Sequence, residues 1–363
     1  GFRIVGSVAG GGVQVYDSAH NLRISNNRID GNQGTYCGGI SIGQLDNAGV
    51  VFDNQDVTIQ GNQILKNGGI NGAGGVAIFA GATGYRILDN LIIGNFCRGS
   101  GGGIGHQGLS PGGLIARNVI RNNEVFYGIL VGGDGGGIFV GGEAPAPGAL
   151  TEGSGSVTIN GNLIQGNLAG SGNGGGICLS GVNGTDVEAS ANPLNWYAVN
   201  IFNNIIVNNV AGFAGGGISL ADATRVRIIH NTVANNDSTA TSKSAFEAGE
   251  TDSTPQGAGL VSRAHSALLA AESGQTFSDP TLYDNILWHN RSFYYDGAAQ
   301  DLVPAPGTFY RDLETMDGEP DMDPMYSILT SASGFDASNV ESNPAFVSEY
   351  SNTLYAAAVI DEA

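Results

Sequence analysis

The chain has few cysteines, few basic residues and no long apolar run. Its 363 residues include 3 cysteines, 2 tryptophans and 14 lysines and arginines. Cys37, Cys97 and Cys178 are odd in number and form no Cys-x-x-Cys or Cys-x-x-Cys-His pattern, which argues against a zinc or haem site of that type. We expect unpaired, partly buried thiols. No stretch is long and apolar enough to span a membrane.

The scarcity of basic residues is uneven along the chain. The net charge is −19. Residues 1–236 carry 13 acids and 10 bases, whereas residues 237–363 carry 20 acids and 4 bases. This excess of acids argues against nucleic acid and other polyanions as ligands of the C-terminal part. It favours divalent cations or a basic partner instead.

Glycine and asparagine are abundant, and they occur in a repeated phrase. Gly-Gly-Gly-Ile, or a close variant, is followed by Asn-x-Ile-x-x-Asn, and the shortest repeat, from Val13 to Ile40, is 27 residues. A period this short cannot hold two packed helices. The glycine phrases end at Val13, Ile40, Val76, Ile104, Ile138, Ile177, Ile218 and Leu260. The asparagine pairs are Asn27/Asn32, Asn62/Asn67, Asn90/Asn95, Asn118/Asn123, Asn162/Asn167, Asn204/Asn209, Asn231/Asn236 and Asn285/Asn290.

The apolar residues within each repeat alternate, as Ile218 and Leu220 do, which indicates short strands with one inward face. The sequence therefore predicts an all-β fold, a right-handed parallel β-helix of about eight three-strand coils over residues 1–295. Residues 296–363 are predicted to be an irregular acidic segment that packs on or extends the helix. The paired asparagines are placed at bends, where Asn tolerates left-handed backbone and its amides can form ladders.

The two phrases resemble the right-handed parallel β-helix repeats of bacterial surface proteins and are similar to those of polymorphic outer-membrane adhesins. Residues 325–330, 343–346 and 356–362 resemble the end of large uncharacterised bacterial β-helix proteins, some of which accompany multicopper oxidases. These resemblances imply an extracellular or cell-surface location. Because the chain opens within a repeat, we expect its N-terminal cap and any signal segment to lie outside it.

Four coils carry extra residues after the glycine strand, at about 43–56, 141–156, 181–198 and 263–279. All four enter at the same turn, so they should stack along one edge. The third contains Trp196 and Tyr197, which we interpret as exposed aromatics that contact sugars or proteins. Neutral loop drift is the alternative, since surface insertions are well tolerated.

The outward positions of the glycine strands hold no carboxylate in the first eight coils. Glycoside hydrolysis needs two carboxylates a few ångströms apart. This face therefore argues against catalysis, unless acids arrive from the loops. Spaced arginines on the next strand, Arg23, Arg86 and Arg227, suit either an anionic glycan or a solvated face.

The strand between the paired asparagines carries apolar residues where a solvated strand would be polar. Such a column needs covering. We predict that the C-terminal segment 300–363, another subunit or a partner domain packs on it. The column consists of Leu91, Ile93, Val119, Leu163, Ile205, Val207, Ile286 and Trp288.

His230 and Asp284 are the only catalytic candidates. Both precede the first asparagine of their coils, so they should be vertical neighbours. A His–Asp pair can transfer protons. A structural contact at the bend is the alternative, since Asp89 and Arg117 stand in the same relation.

Six carboxylates lie within 12 residues near the C-terminus. With Gly318 to turn the chain, they can wrap a hard cation such as Ca²⁺. An acidic solvated loop is the alternative interpretation. The six are Asp312, Glu314, Asp317, Glu319, Asp321 and Asp323.

Three functional hypotheses follow from these features. The first is a non-catalytic surface scaffold that binds proteins or glycans, alone or as a homo-oligomer in a surface assembly. The second is a polysaccharide lyase or glycoside hydrolase. The third, which rests on the tail resemblance, is an accessory module of a metal-oxidising or redox complex.

Overall fold

The structure is a computed structural model that describes residues 1–45, 52–126 and 133–347. Its strands form four long sheets that run the length of a parallel β-helix. All strand pairs are parallel in the described residues except that of Arg291–Asp296 with Asp301–Pro304. The predicted fold class is confirmed.

Each sheet is named for its place in the repeat. The glycine sheet contains Val13–Val15, Ile40–Ile42, Val76–Phe79, Ile104–Gln107, Ile138–Gly141, Ile177–Ser180, Ile218–Ala221, Leu260–Ser262 and Leu313–Thr315. The second sheet contains Arg23–Ser25, Thr58–Gln60, Arg86–Leu88, Gly113–Ala116, Val157–Asn160, Val199–Phe202, Val226–Ile229, Thr281–Tyr283 and Pro324–Met325.

The asparagine sheet, between the paired asparagines, contains Arg3–Val5, Arg28–Asp30, Gln63–Leu65, Leu91–Ile93, Val119–Arg121, Leu163–Gln165, Ile205–Val207, Thr232–Ala234, Ile286–Trp288, Ile328–Leu329 and Val340–Glu341. The short-strand sheet contains Gln33–Gly34, Gly68–Gly69, Phe96–Cys97, Glu124–Val125, Leu168–Ala169, Val210–Ala211, Asp237–Ser238, Arg291–Asp296 and Asp301–Pro304.

A complete coil therefore has four strands rather than the three that we predicted. The additional strand follows the second asparagine and has only two residues in most coils. Two residues are too few to show an apolar alternation, so the sequence pattern does not reveal them. The register of the other strands is the predicted one, with Val13 opposite Ile40 and Ile40 opposite Val76.

The strand stack also continues beyond residue 295. Leu313–Thr315, Pro324–Met325 and Ile328–Leu329 pair with the eighth coil and form a partial ninth one. Val340–Glu341 then adds to the end of the asparagine sheet. Part of the acidic segment thus extends the helix.

The core is a set of vertical columns of aliphatic side chains. The central residue of most strands in the asparagine sheet is a fully buried isoleucine, such as Ile92 above Ile64. Burial of each such side chain contributes about 1.5–3 kcal/mol. Stability therefore accumulates coil by coil, as expected for a solenoid.

The paired asparagines form two buried ladders, as predicted. Asn167 shows the pattern: its Oδ1 accepts hydrogen bonds from the backbone N and the Nδ2 of Asn123, both at 3.0 Å. Its own N and Nδ2 donate to Asn209 Oδ1 at 2.9 Å. Its Nδ2 also donates to the Ile120 carbonyl at 3.0 Å. Each amide therefore links three successive coils.

The left-handed backbone does not lie at the ladder asparagines, where we had placed it. It lies one residue earlier, for example at Asp89 (φ 55°) and His230 (φ 58°). This preceding residue turns the chain outward at the bend, and the asparagine that follows points into the core. The bend accepts Asn, Gly, Asp, Lys, Arg or His, and its side chain is solvated at Asp89 and His230 but buried at Asn208 and Asn235.

Glycine is required where the glycine phrase passes the second ladder. A Cβ atom on Gly137 would lie 2.9 Å from Ile164 Cγ2 and 3.1 Å from Asn167 Nδ2. Any larger residue would push the ladder amide out of line. The two halves of the repeated phrase therefore constrain each other.

The helical segments are few and short, and those with α-helical geometry are Thr185–Glu188 and Ala267–Ser273. The 3₁₀ turns are Pro193–Asn195 and Lys243–Ala245. None of the helices in the described ranges has the length and apolarity needed to cross a bilayer.

One polar pair lies inside the solenoid. His106 takes an inward position of the glycine sheet, between Ile78 and Val140 of the neighbouring coils. Its Nδ1 lies 2.7 Å from the Tyr85 hydroxyl, and its Nε2 lies 2.8 Å from the Gly108 carbonyl oxygen. Burial lowers the pKa of His106 from 6.5 to about 4. The neutral ring accepts from Tyr85 and donates to Gly108.

This pair predicts a pH-dependent stability. In the unfolded chain His106 binds a proton near pH 6.5, whereas in the folded chain it does so only near pH 4, so acid favours unfolding. The contribution of neutral His106 to the free energy of unfolding is complete above about pH 7 and decreases as the pH falls toward 4. We expect the free energy of unfolding to fall by about 2 kcal/mol between about pH 7 and pH 5. Urea unfolding at both pH values measures it.

The double variant Tyr85→Phe/His106→Val is the matched control, because Val140 occupies the same inward position one coil later. It removes both polar side chains together. The Gly108 carbonyl loses its donor at every pH, so this loss lowers stability without changing the pH slope. An unchanged pH slope in this variant would contradict the assignment to His106.

Candidate functional site

Trp196 is not exposed, contrary to our prediction. Its side chain is 4% exposed and packs with Val187 and Leu269, beside the partly buried Leu150. Its Nε1 donates to the Ser190 carbonyl at 2.7 Å. The insertions at 141–156, 181–198 and 263–279 do stack as expected, and their apolar side chains form a small core of their own.

Tyr197 follows this small core and is half-buried. Its backbone N donates to Asp186 Oδ2 at 2.7 Å. Burial, with Asp186 and Glu152 nearby, raises the pKa of its hydroxyl. Tyr197 therefore belongs to the packed loops, and the two aromatics do not form an exposed binding platform.

His230 and Asp284 are vertical neighbours, as predicted. His230 Nε2 lies 3.9 Å from Asp284 Oδ2, and the side chains are 59% and 47% exposed. Asp89 and Arg117 stack at the same corner with a contact of 2.8 Å. Both pairs lie on the solvated left-handed column of the bend. The structure places no further titratable partner of His230 within ion-pair distance in the described residues.

Two further His–Asp contacts were not evident from the sequence; one is exposed, between His20 Nε2 and Asp53 Oδ2 at 3.0 Å. In the other, His265 Nδ1 lies 3.4 Å from Asp222 Oδ1, and the His265 side chain is fully buried. Burial acts to raise the pKa of Asp222, but His265 and the Ser266 N–H outweigh it and the net pKa is lowered. The contact joins the end of one glycine strand to the insertion that follows the next. Because insertions are aperiodic, column alignment could not find it.

The structure does not gather the six acidic residues 312–323 around one point. Asp312 is the terminus of the second asparagine ladder: its Oδ1 accepts from Asn290 Nδ2 at 2.7 Å and from Asn290 N at 3.1 Å. Its Oδ2 accepts from Thr330 N at 3.1 Å. An asparagine inside a ladder both donates and accepts hydrogen bonds. The last residue of the ladder only accepts them, so a carboxylate can take this position. Burial raises the pKa of Asp312.

The remaining acids of the segment diverge. Glu314 pairs with Arg311 at 3.2 Å, and Asp317 pairs with Arg263 at 3.7 Å. Glu319 accepts a hydrogen bond from Thr276, and Asp321 and Asp323 are exposed. Among the described residues, no three His, Cys, Asp or Glu side chains are placed to hold a metal ion.

Two charged residues flank strands of the glycine sheet: Asp134 precedes Ile138–Gly141, and Arg263 follows Leu260–Ser262. Burial raises the pKa of Asp134, which accepts from Asn173 N at 2.7 Å and from Asn173 Nδ2 at 3.2 Å. Arg263 lies over the Phe213 ring at 5.6 Å, and its positive charge acts to lower the pKa of Asp134.

The three cysteines are unpaired and buried, as expected. Cys37 Sγ lies 3.5 Å from the Gly75 carbonyl oxygen, and burial raises the pKa of this thiol to about 12. Burial also raises the pKa of Cys97 and Cys178. The thiols therefore stay protonated at neutral pH and act as small core side chains.

The predicted apolar column lies on the outer face of the asparagine sheet, but its members form two rows. In one row Leu91, Val119, Leu163 and Ile205 are successive, and Thr232 separates them from Ile286. In the other row Arg121 and Gln165 lie between Ile93 and Val207. Ile205 is its most exposed member, at 49%, and Trp288 is 7% exposed. Trp288 is covered because it stacks on His289, at 4.4 Å, and His289 stacks on Tyr310, at 4.3 Å. The other members are half-buried: Leu91, Ile93, Val119, Leu163, Val207 and Ile286.

The C-terminal segment does not cover this column within residues 300–347. It reaches only the Trp288 end, through Tyr310, because its strands extend the stack. Residues 348–363, the remainder of the predicted cover, lie outside the described residues. The column therefore remains an apolar surface in the described structure.

No family model matches the chain, and neither a curated protein nor a solved structure matches it.

Proposed function

We propose that this chain is a non-catalytic scaffold that assembles with a second copy of itself through the apolar column. The observation that carries the proposal is the uncovered run of Leu91, Val119, Leu163 and Ile205 on successive coils. Apolar surfaces of this extent on otherwise soluble folds mark interaction sites. Composition and the repeat resemblance support an extracellular or cell-surface location for this assembly.

The geometry of the column favours a second copy over an unrelated partner. Its side chains recur at the spacing of neighbouring strands, about 4.8 Å. A second column of the same protein has the same spacing, so its side chains can interlock along the whole run. Symmetric contacts of one patch with itself are the commonest form of oligomer.

The free energy of association through the column is the sum of several partial burials. Each side chain of this size contributes about 1.5–3 kcal/mol when it passes from full exposure to full burial, and half-buried ones contribute correspondingly less. Association costs about 4–15 kcal/mol in lost freedom of motion, so several side chains must act together. One disruptive substitution at the centre should therefore have a large effect.

Sedimentation equilibrium tests the proposal. We expect the native chain to associate at concentrations on the order of 10 μM, and the variant Leu163→Glu/Ile205→Glu to be a monomer, because two carboxylates would be buried without partners. Thr158→Glu is the matched control, since Thr158 is half-buried on the outer face of the second sheet in the same coil as Leu163.

A native chain that stays monomeric at concentrations on the order of 100 μM would overturn self-assembly. Equal association of Leu163→Glu/Ile205→Glu and the native chain would do the same. A lyase assay tests the non-catalytic part of the proposal. Release of unsaturated sugars from polygalacturonate or alginate, followed by ultraviolet absorbance, would favour the lyase alternative.

A further inference from the structure

The short-strand sheet carries an apolar groove that is separate from the column on the asparagine sheet. Its volume is about 320 Å³. It lies across the first coils, where Thr35, Ile70, Arg98 and Phe126 follow successive short strands. This volume is at the lower end of the range for small-molecule sites, about 300–1,000 Å³.

The groove depends on a glycine in the short-strand sheet. Gly68 is in register with Phe96 and leaves this position of the sheet without a side chain, whereas Gly34 and Gly69 line the groove through their backbone. The Phe96 ring lies over Gly68, where a Cβ atom would be 2.6 Å from the ring. The bare backbone and this ring together form the floor.

The walls of the groove are apolar and partly solvent-exposed. Phe126 meets Phe96 edge to face, with ring centroids 5.6 Å apart, and is 43% exposed. Ile70 is 51% exposed on the preceding coil. Two aromatic rings and an isoleucine offer an apolar surface that is costly to leave in water.

Among the described residues, Arg98 is the one formally charged side chain that lines the groove. It is exposed, and its guanidinium has no hydrogen-bond or ion-pair partner among the residues that the structure describes. The groove lies in residues 1–236, which carry 13 acids and 10 bases, whereas most of the negative charge of the chain lies in residues 237–363. A cation beside an apolar floor therefore favours a negatively charged ligand here.

We propose that this groove binds a small amphipathic organic anion, with its apolar body on Phe96 and Phe126 and its charged group on Arg98. Gln33 and Thr35 line the same groove and supply neutral polar groups. Arginine forms two parallel hydrogen bonds with a carboxylate or sulfonate. The proposal is independent of self-assembly, since it concerns another sheet.

A pair of fluorescent probes distinguishes the apolar contact with the phenylalanines from the charge interaction with Arg98. 8-Anilinonaphthalene-1-sulfonate has an apolar body and one negative charge, and N-phenyl-1-naphthylamine is its neutral counterpart. We expect Arg98→Gln to weaken binding of the sulfonate about tenfold and to leave the neutral probe unchanged within about twofold. Phe126→Ser should weaken both probes about tenfold.

Arg86→Gln is the matched control, because Arg86 is an exposed arginine of the same coil on the second sheet. It should bind both probes as the native chain does. Equal effects of Arg98→Gln and Arg86→Gln on the sulfonate would overturn the proposal. Unchanged binding of both probes in Phe126→Ser would also overturn it, since the dyes would then occupy another surface.

Competition with unlabelled ligands identifies the chemical class. Decanoate should displace the sulfonate probe from the native chain at least about fivefold more effectively than decanol, because only decanoate can pair with Arg98. The difference should vanish in Arg98→Gln. Equal displacement by decanoate and decanol from the native chain would show that the groove does not select anions.

Discussion

Replacement of Asn167 by alanine is expected to lower the free energy of unfolding by about 4 kcal/mol. The change removes the acceptor for the Asn123 backbone N–H and the donor to the Ile120 carbonyl. Asn167 is fully buried, so water cannot replace these partners. Each orphaned buried group costs about 1–3 kcal/mol, and the lost side chain adds a cavity. Urea unfolding followed by circular dichroism measures the difference.

Asn195→Ala is the control for this prediction. Asn195 is exposed, and its Nδ2 donates only to Ser190 Oγ, at 3.0 Å. Its replacement should change stability by less than about 0.5 kcal/mol. Similar effects of the two substitutions would mean that the ladder amides contribute little beyond their backbone bonds.

Arg291→Met is expected to lower the free energy of unfolding by about 3–5 kcal/mol. Arg291 Nε and Nη2 donate to the two carboxylate oxygens of Asp237 at 2.8 and 2.9 Å, and both residues are 1% exposed. Burial raises the pKa of Asp237, and Arg291 acts to lower it. Without Arg291 the carboxylate stays buried with no counter-charge, which is the costly state. Denaturant titration at neutral pH measures the loss.

The double variant Asp237→Val/Arg291→Met should recover most of that stability. Val210 and Leu168 occupy the corresponding positions in the two preceding coils, so the sheet accepts apolar residues here. Replacement of a buried ion pair by packed apolar groups is often neutral or stabilising. If the double variant were as unstable as Arg291→Met, the two side chains would stabilise the fold through contacts other than their ion pair.

The repeated phrase was sufficient to predict the stacked coils, their register and the two amide ladders. These features arise from the local period of the sequence. Each coil has the same inward residues as the one before it, and the strands of neighbouring coils pair. The two-residue strands were not predicted, because a segment so short has no pattern. The left-handed residue was misplaced by one position, because Asn is favoured both at a left-handed bend and in a ladder.

The candidate sites were less predictable than the coils. Trp196 looked exposed because it lies in an insertion, yet three insertions from different coils bury it together. Asp312 looked like a cation ligand because of its acidic neighbours, yet it receives the N–H groups at the end of a ladder. The groove beside Arg98 was missed, because it depends on the absence of a side chain at Gly68, and an absent side chain gives no pattern in the sequence.

The sequence by itself determined the solenoid, because every coil carries its own inward aliphatics, ladder amides and close-packed glycines. Only the tertiary structure decided which side chains outside the repeat are buried, paired or open to solvent. Those contacts join insertions and coil ends that are far apart in the chain and follow no period. Their partners are set by which coils become neighbours, and this is known only once the coils have stacked.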